Sequence, residues 1–335
     1  MDVGLGIVAR NHPGYPRPLP VVYEETLLQA QLGEDLGFVQ WWLAEHHFAE
    51  DQHNPSQFPL LAAAAARTST IRLGTYVLLL ALHNPLLVAE DAATVDILSN
   101  GRLDLGIGAG PMPGECAVFG VDPKERFGRT YEALEVLQRC FSGERFSHAG
   151  RYFTFPDVQM TTTPVQAGGP PIYVAALGPQ SLAKAGTLGY HLASMIHTHE
   201  HDIYLQAQAA AGRTRADFRL VSGPLAVHVA PTREQAWDEC EAGLHEWVEF
   251  YRRRGIPMPL APIGELRHDP HAGIFGTPFA VGTPDDVLRI LGAYQDLPMD
   301  QIVIQFNHMG MPHEPVAASM RLFADEVMPE IARWG

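Results

Sequence analysis

The sequence predicts an α/β fold: a single TIM (β/α)8 barrel with insertions, occupying residues 1–335. Three observations predict it. Short β-type runs alternate with longer helical stretches along most of the chain, which is the pattern of parallel βαβ units. The candidate strands number about eight, the count at which such a barrel closes. No Ser/Gly linker or shift in composition divides the 335 residues, so one large domain is the economical organisation.

In chain order the candidate strands are Val3 to Val8, Phe38 to Leu43, Ile71 to Leu78, Leu103 to Ile107, Ile172 to Ala175, His191 to Ile196, Arg219 to Val229 and Gln301 to Phe306. The helices between them carry legible end signals. Asn84-Pro85 sets a cap residue before a proline at the first helical position, predicting a helix to about Leu98 before Gly101. Thr232 with Gln235 reads as a capping box opening a long helix that stops at Gly255, and Thr283-Pro284 with Asp285 and Asp286 starts another. From Arg126 to Phe141, the residues Phe127, Tyr131, Leu134, Leu137 and Phe141 recur at the spacing of one buried helix face. Two stretches are too long for plain connections: Gly143 to Gly169, with Tyr152, Phe153 and Phe155, and Ile256 to Val281, rich in Pro, Gly and His. Long loops in a compact domain are often lids or binding loops.

Composition narrows the function. The chain has 23 Lys+Arg against 38 Asp+Glu, a formal charge of -15, which repels phosphate backbones and anionic lipid. Nucleic acid and membrane surfaces are therefore not expected partners. Cys116, Cys140 and Cys240 are widely spaced with no C-x-x-C pair, so neither a disulfide framework nor a zinc knuckle is indicated. The start lacks a basic segment followed by an apolar stretch, and the apolar run Tyr76 to Leu82 is too short to span a bilayer. A cytoplasmic location is the expectation.

Two glycine patterns imitate a dinucleotide fingerprint, which requires strand, glycine turn and helix in that order. Gly4-x-Gly6-x-x-Ala9 has no strand before it, and Gly106-x-Gly108-x-Gly110 runs into Pro111 and Pro113. The second set reads instead as a strand exit without Cβ atoms, where a flat ligand can approach the backbone. Glu45-His46-His47 closes the second strand, where barrel enzymes hold catalytic groups, and a neutral imidazole suits proton transfer. Alternating side-chain directions let only one of these histidines face the pocket. His197-x-His199-x-His201 after the sixth strand supports a competing class, a metal-dependent barrel hydrolase, although no H-E-x-x-H motif accompanies it. After Ile172 to Ala175 comes Ala176-Leu177-Gly178-Pro179-Gln180-Ser181 and a helix, whose free amides form an anion site. No G-x-S-x-G elbow supports a serine hydrolase.

Several colinear segments resemble the bacterial luciferase-like family of flavin-dependent monooxygenases: WLAEHHF (Trp42 to Phe48), the run from Ile71 to Gly110, VFG (Val118 to Gly120), PPIYVAA (Pro170 to Ala176), THE (Thr198 to Glu200), VGTPDD (Val281 to Asp286) and SMRLFADEVMP (Ser319 to Pro329). The resemblance implies FMN at the carboxyl ends of the strands of a luciferase-like TIM barrel, and a homodimer. It implies that FMN reduced by a separate flavin reductase reacts with dioxygen, through a flavin C(4a)-hydroperoxide, to oxygenate a small organic substrate. His46 matches the family's active-site histidine and Glu115 an acidic residue after the fourth strand, so both are assigned to catalysis. Tyr76 and Val77 match the pair behind the flavin ring, where the family often has a non-proline cis peptide. Gly178 and Ser181 match the phosphate-binding turn, and Ser194 joins the cofactor-binding set. Gly108 and Ala109, also in that set, stand where the luciferase alpha subunit has a cysteine and a phosphate-binding arginine, and Leu177 replaces an acidic residue. The same barrel also serves deazaflavin-dependent oxidoreductases, and some members only bind flavin or a partner; these remain the alternatives.

Overall fold

Eight parallel strands form a ring in the computed structural model, which describes residues 1–110, 112–194, 198–269 and 271–334. We number them β1 (Asp2–Ile7), β2 (Gln40–Leu43), β3 (Arg72–Leu79), β4 (Leu103–Gly108), β5 (Ile172–Ala175), β6 (His191–Ser194), β7 (Leu220–Val229) and β8 (Gln301–Gln305). Each pairs in parallel with the next, β6 pairs with β7, and β8 returns to β1, so the barrel closes. The expected strands lie within two residues of these, except that the end expected at Ile196 falls outside the described residues. A short ninth strand, Ala280–Gly282, adds to β7 outside the ring.

The barrel is filled rather than hollow. Trp42, Tyr173, Ala193, Val221 and Val303 form an inner cluster, with Tyr76 and Val77 packed against it. Gly4 and Gly74 make room for the Trp42 indole: a Cβ on Gly74 would lie 2.3 Å from Trp42 Cζ3. At the amino ends of the strands, Asp104 accepts from Arg72 through both oxygens and from Gln40, while Trp42 Nε1 donates to Gln301 Oε1 at 2.6 Å.

The outer helices are α1 (Leu19–Asp35), α2 (Gln57–Ala65), α3 (Pro85–Leu98), α4 (Arg126–Phe141), α5 (Pro179–Leu188), α6 (Thr198–Ala210), α7 (Arg233–Arg253) and α8 (His313–Glu326). The α3 cap is as expected, Asn84 Oδ1 accepting from Leu86 N at 2.9 Å. Thr283 and Asp286 form a complete capping box. At α7 only half of the expected box forms: Thr232 Oγ1 accepts from Gln235 N, but the Gln235 amide donates to Glu239 instead. The stripe on α4 is also shorter than its periodicity implies. Leu134, Leu137 and Phe141 are buried, whereas Phe127 in the first turn is 48% exposed and carries the Arg126 guanidinium 4.3 Å above its ring. The two long connections fold into small hairpins, Phe146–Ala149 with Thr154–Val158 and Gly273–Ile274 with Thr277–Pro278.

Candidate active site

In a closed parallel barrel all strands deliver their carboxyl ends to one mouth. His46 follows β2, Glu115 lies in the short helix Pro113–Val118 after β4, and Gly178 and Ser181 follow β5, so these residues share that mouth. His46 Nδ1 is 3.1 Å from Glu115 Oε1, and the same oxygen accepts from the backbone N–H of His47 at 2.9 Å. Burial would raise the Glu115 carboxyl, but its contacts with His46 and His47 outweigh that and hold it below the usual carboxylate range. Its Oε2 is buried without a hydrogen-bond partner among the described residues.

The adjacent histidines, both beyond the end of β2, part company. The His46 ring contacts His53, Phe250 and Tyr251. His47 turns the other way, its Nε2 2.7 Å from Glu45 Oε1, which also meets His83 Nε2 at 2.8 Å. Glu45, His47 and His83 are thus grouped closely enough to be considered as metal ligands. Those separations are hydrogen-bond lengths, however, and two ligands on a tetrahedral zinc would stand roughly 3.3 Å apart. The Glu45 Oε2 also accepts from Leu79 N, so the trio acts as a clamp tying β2 to β3. Of the expected histidine triplet, His197 lies outside the described residues, and the described part of His199 does not include its side chain. His201 Nε2 lies 3.0 Å from Ser194 Oγ, within the barrel wall.

The peptide between Tyr76 and Val77 is cis. The Tyr76 hydroxyl lies across the barrel, 2.8 Å from the Ser194 carbonyl and 3.1 Å from that of Gly223. The neighbouring glycines pack tightly against β3. A Cβ on Gly106 would lie 2.0 Å from the Thr75 carbonyl oxygen, and one on Gly108 would lie 2.5 Å from Val77 Cγ2. At both positions the side a Cβ would occupy is filled by β3. Ser194 Oγ is likewise occupied, by His201 and by Ser222 at 3.1 Å. Ala109 is half-buried beside Gly110, whose carbonyl accepts from Arg126 Nε at 3.2 Å.

The turn before α5 is open to solvent. Leu177 is 54% exposed, Gly178 provides no capping side chain, and Ser181 Oγ donates to the Gly178 carbonyl at 2.9 Å. Tyr131 of α4 reaches the Ser181 carbonyl at 3.5 Å, which brings the start of α4 alongside this turn. Arg126 therefore offers a cation next to Ala109, where the resemblance implies one has been lost. Its only sequence signal was a place at the start of an amphipathic helix. The floor of the mouth is small-featured: Gly6, Val8, Ala44 and Pro224 surround a cavity of about 20 Å³ above Trp42 and Tyr76. A larger cavity of about 370 Å³ lies on the barrel flank, lined by residues of α2 and α3 with Glu45 and His83, away from His46.

Sequence reading missed a further group around His46. Arg10, Asp51 and His53 are buried, and burial foremost pushes the His53 imidazole down to about 4. Asp51 Oδ2 is 3.6 Å from His53 Nδ1, too long for a hydrogen bond. Burial is likewise the main cause that takes His308 down to about 3.

The luciferase-like monooxygenase family model matches residues 1–301. The chain belongs to that family. A Sinorhizobium fredii protein described as uncharacterized protein y4wF is 39% identical over 71% of this chain and 72% of its own length. The 4-hydroxyprotoasukamycin monooxygenase of Streptomyces nodosus subsp. asukaensis is 34% identical over 69% of this chain and 64% of its own length. Among solved structures, the monooxygenase RslO1 from Streptomyces bottropensis superposes with a TM-score of 0.84 at 27% identity, covering 98% of this chain and 99% of that one. The F420-dependent glucose-6-phosphate dehydrogenase of Microbacterium testaceum is also related, 26% identical over 90% of this chain and 91% of its own length. This luciferase-like chain is an enzyme. Among its described residues, no helix is long and apolar enough to cross a membrane.

Proposed function

We propose that the chain is the oxygenase component of a two-component monooxygenase, taking reduced FMN from a separate flavin reductase and using dioxygen to oxygenate a small organic substrate. The observation that carries this reading is the arrangement at one mouth of a paired imidazole and carboxylate, His46 and Glu115, with the uncapped helix start at Gly178–Ser181. Bound reduced FMN supplies the chemistry of oxygen activation.

The residues present fit such a group. The uncapped turn with Arg126 nearby suits its phosphate, through backbone amides, the helix dipole and a guanidinium. Glu115 accepts at His46 Nδ1, which fixes the tautomer that carries the proton there and leaves Nε2 as the atom that can accept one. When Nε2 takes a proton, the buried carboxylate beside Nδ1 stabilises the resulting charge. The aromatic wall of Phe250 and Tyr251 next to His46 limits water around that atom. Exposed Leu87 and Leu98 share one face of α3, which supports assembly as a homodimer.

The deazaflavin alternative uses the same mouth and is represented among the relatives. Anaerobic titration with reduced FMN and with a reduced deazaflavin, followed by protein fluorescence, separates the two. At least tenfold tighter binding of reduced FMN is expected, and the reverse preference overturns the reading. Without a reductase, the chain with FMN should oxidise NADH no faster than free FMN does. Rapid oxidation would remove the two-component assignment.

A further inference from the structure

Arg10 leaves the barrel just after β1 and is 2% exposed. Its guanidinium lies 5.0 Å from the centroid of the Trp247 ring. Among the described residues, its Nε and Nη2 have no hydrogen-bond partner and are closed to solvent. A buried guanidinium is normally paired, because desolvating its charge is costly. Among the described residues nearby Asp51 forms no ion pair with it; Asp51 Oδ2 faces His53 Nδ1 at 3.6 Å, and neither that oxygen nor either His53 ring nitrogen has a hydrogen-bond partner. Nε and Nη2 are the two donors that project in parallel from one edge of the guanidinium. That edge matches the two oxygens of a carboxylate.

The surroundings complete a site. Backbone pairing of Asn11 N with the Asp51 carbonyl at 2.7 Å, and of Asn54 N with Ala9 O at 2.9 Å, fixes the segment bearing Arg10 against the segment bearing His53. The His53 ring stands 4.8 Å from that of His46, and Tyr251 contacts His46. Trp247, Phe250 and Tyr251 of α7 supply an apolar wall along this line. Phe275, from the long connection after α7, covers Tyr251 at 4.6 Å.

We propose that the edge of Arg10 formed by Nε and Nη2 anchors a carboxylate on the organic substrate, whose apolar body packs along the α7 aromatic residues toward His46. The proposal rests on the oxygenase reading for its use but not for its test. The anchor sets substrate class: acids are accepted, and neutral analogues of the same shape bind weakly.

The test uses benzoate and benzamide, which share shape and differ in charge. Each is titrated into the full chain, flavin-free and FMN-loaded, with calorimetry as the readout. Benzoate should bind at least tenfold more tightly than benzamide, and Arg10→Gln should erase that preference while leaving benzamide affinity unchanged. Arg10→Lys, which keeps charge but loses the parallel donors, should fall between. Arg10→Met should raise the melting temperature without ligand and abolish the rise that benzoate produces in the wild-type chain. Equal affinity for the two probes, no benzoate binding, or a preference retained in Arg10→Gln overturns the anchor. So does a large fall in melting temperature in Arg10→Met, which would make Arg10 a structural residue. FMN affinity should be the same in wild type and Arg10→Met; failure of both to bind FMN would defeat the flavin reading while leaving the benzoate result to stand on its own.

Discussion

The two ends of the barrel treat buried polar groups in opposite ways. At the amino ends of the strands, Asp104 is bound by Arg72 and Gln40, and Trp42 is bound by Gln301, so these buried groups have their complements. At the carboxyl ends, Arg10, Asp51, His53 and Glu115 all retain buried atoms with no hydrogen-bond partner among the described residues. A buried polar group without a partner costs on the order of 1–3 kcal/mol, and more when charged. The amino end spends its polar residues on holding the strands together, and the mouth keeps its own available. The contrast separates groups that stabilise the fold from groups held ready for a ligand.

The strongest way to break that contrast is at His46. His46→Ala should lower turnover with reduced flavin by about 10²–10⁴-fold, the usual weight of a positioned acid or base, with little change in unfolding midpoint. Unchanged turnover, measured with product formation and peroxide release together, removes the assigned role. The opposite end should respond in the opposite sense. Asp104→Ala strands the Arg72 guanidinium in a partly buried site and should cost about 3 kcal/mol of stability, read from denaturant unfolding, while the folded fraction keeps its kcat. Lost turnover at full stability would show that the amino end is not a structural layer.

Acid sharpens the comparison further. His53 and His308 near the mouth, and His191 at the start of β6, are pushed down to about 4, about 3 and about 4, in each case chiefly by burial. In the unfolded chain these groups titrate near about 6.5. Between pH 6.5 and 4 the unfolded state therefore binds more protons, so stability is full above that window and falls as pH drops through it. Each histidine contributes up to about 1.4 kcal/mol per pH unit. Denaturant midpoints measured from pH 7 to pH 4.5 should fall, and His53→Gln should flatten that slope by one proton. An unchanged slope would mean that His53 is protonated in the folded protein.

How much of this was legible follows from the range of the interactions. Asn84-Pro85 and Thr283-Pro284 could be read because a cap and its helix are neighbours in sequence. The strands could be read because burial on both faces leaves continuous apolar runs. His46 and Glu115 could be placed at one mouth from strand order and a family resemblance, but not their 3.1 Å contact. The burial of Arg10 could not be read, since its neighbours Asp51, His53 and Trp247 come from two distant segments and only folding brings them together. The packing at Gly108 could not be read for the same reason: the atom that its missing Cβ would meet belongs to Val77 on another strand. Phe127 obeyed helical period but fell in the first turn, where α4 has already reached the open mouth.

Gly108 and Ser181 provide the finer tests, because one is a packing site at the mouth and the other faces solvent there. Gly108→Ala places a Cβ 2.5 Å from Val77 Cγ2 in a buried strand, and such overpacking costs about 1–3 kcal/mol. Its unfolding midpoint should fall accordingly; an unchanged midpoint would show that Val77 yields to the added methyl group. Ser181→Ala removes only a hydroxyl that donates to the Gly178 carbonyl in an exposed turn. Unfolding should scarcely change, because water replaces that bond. If the turn holds a phosphate, the hydroxyl turns from the Gly178 carbonyl to it; in the variant the amides of α5 remain and that one hydrogen bond is lost, worth about 1 kcal/mol. Reduced FMN should then bind about fivefold more weakly by anaerobic titration, while riboflavin, which has no phosphate, binds both proteins equally. An equal loss for riboflavin would place Ser181 away from the phosphate and leave Arg126 to account for the anion alone.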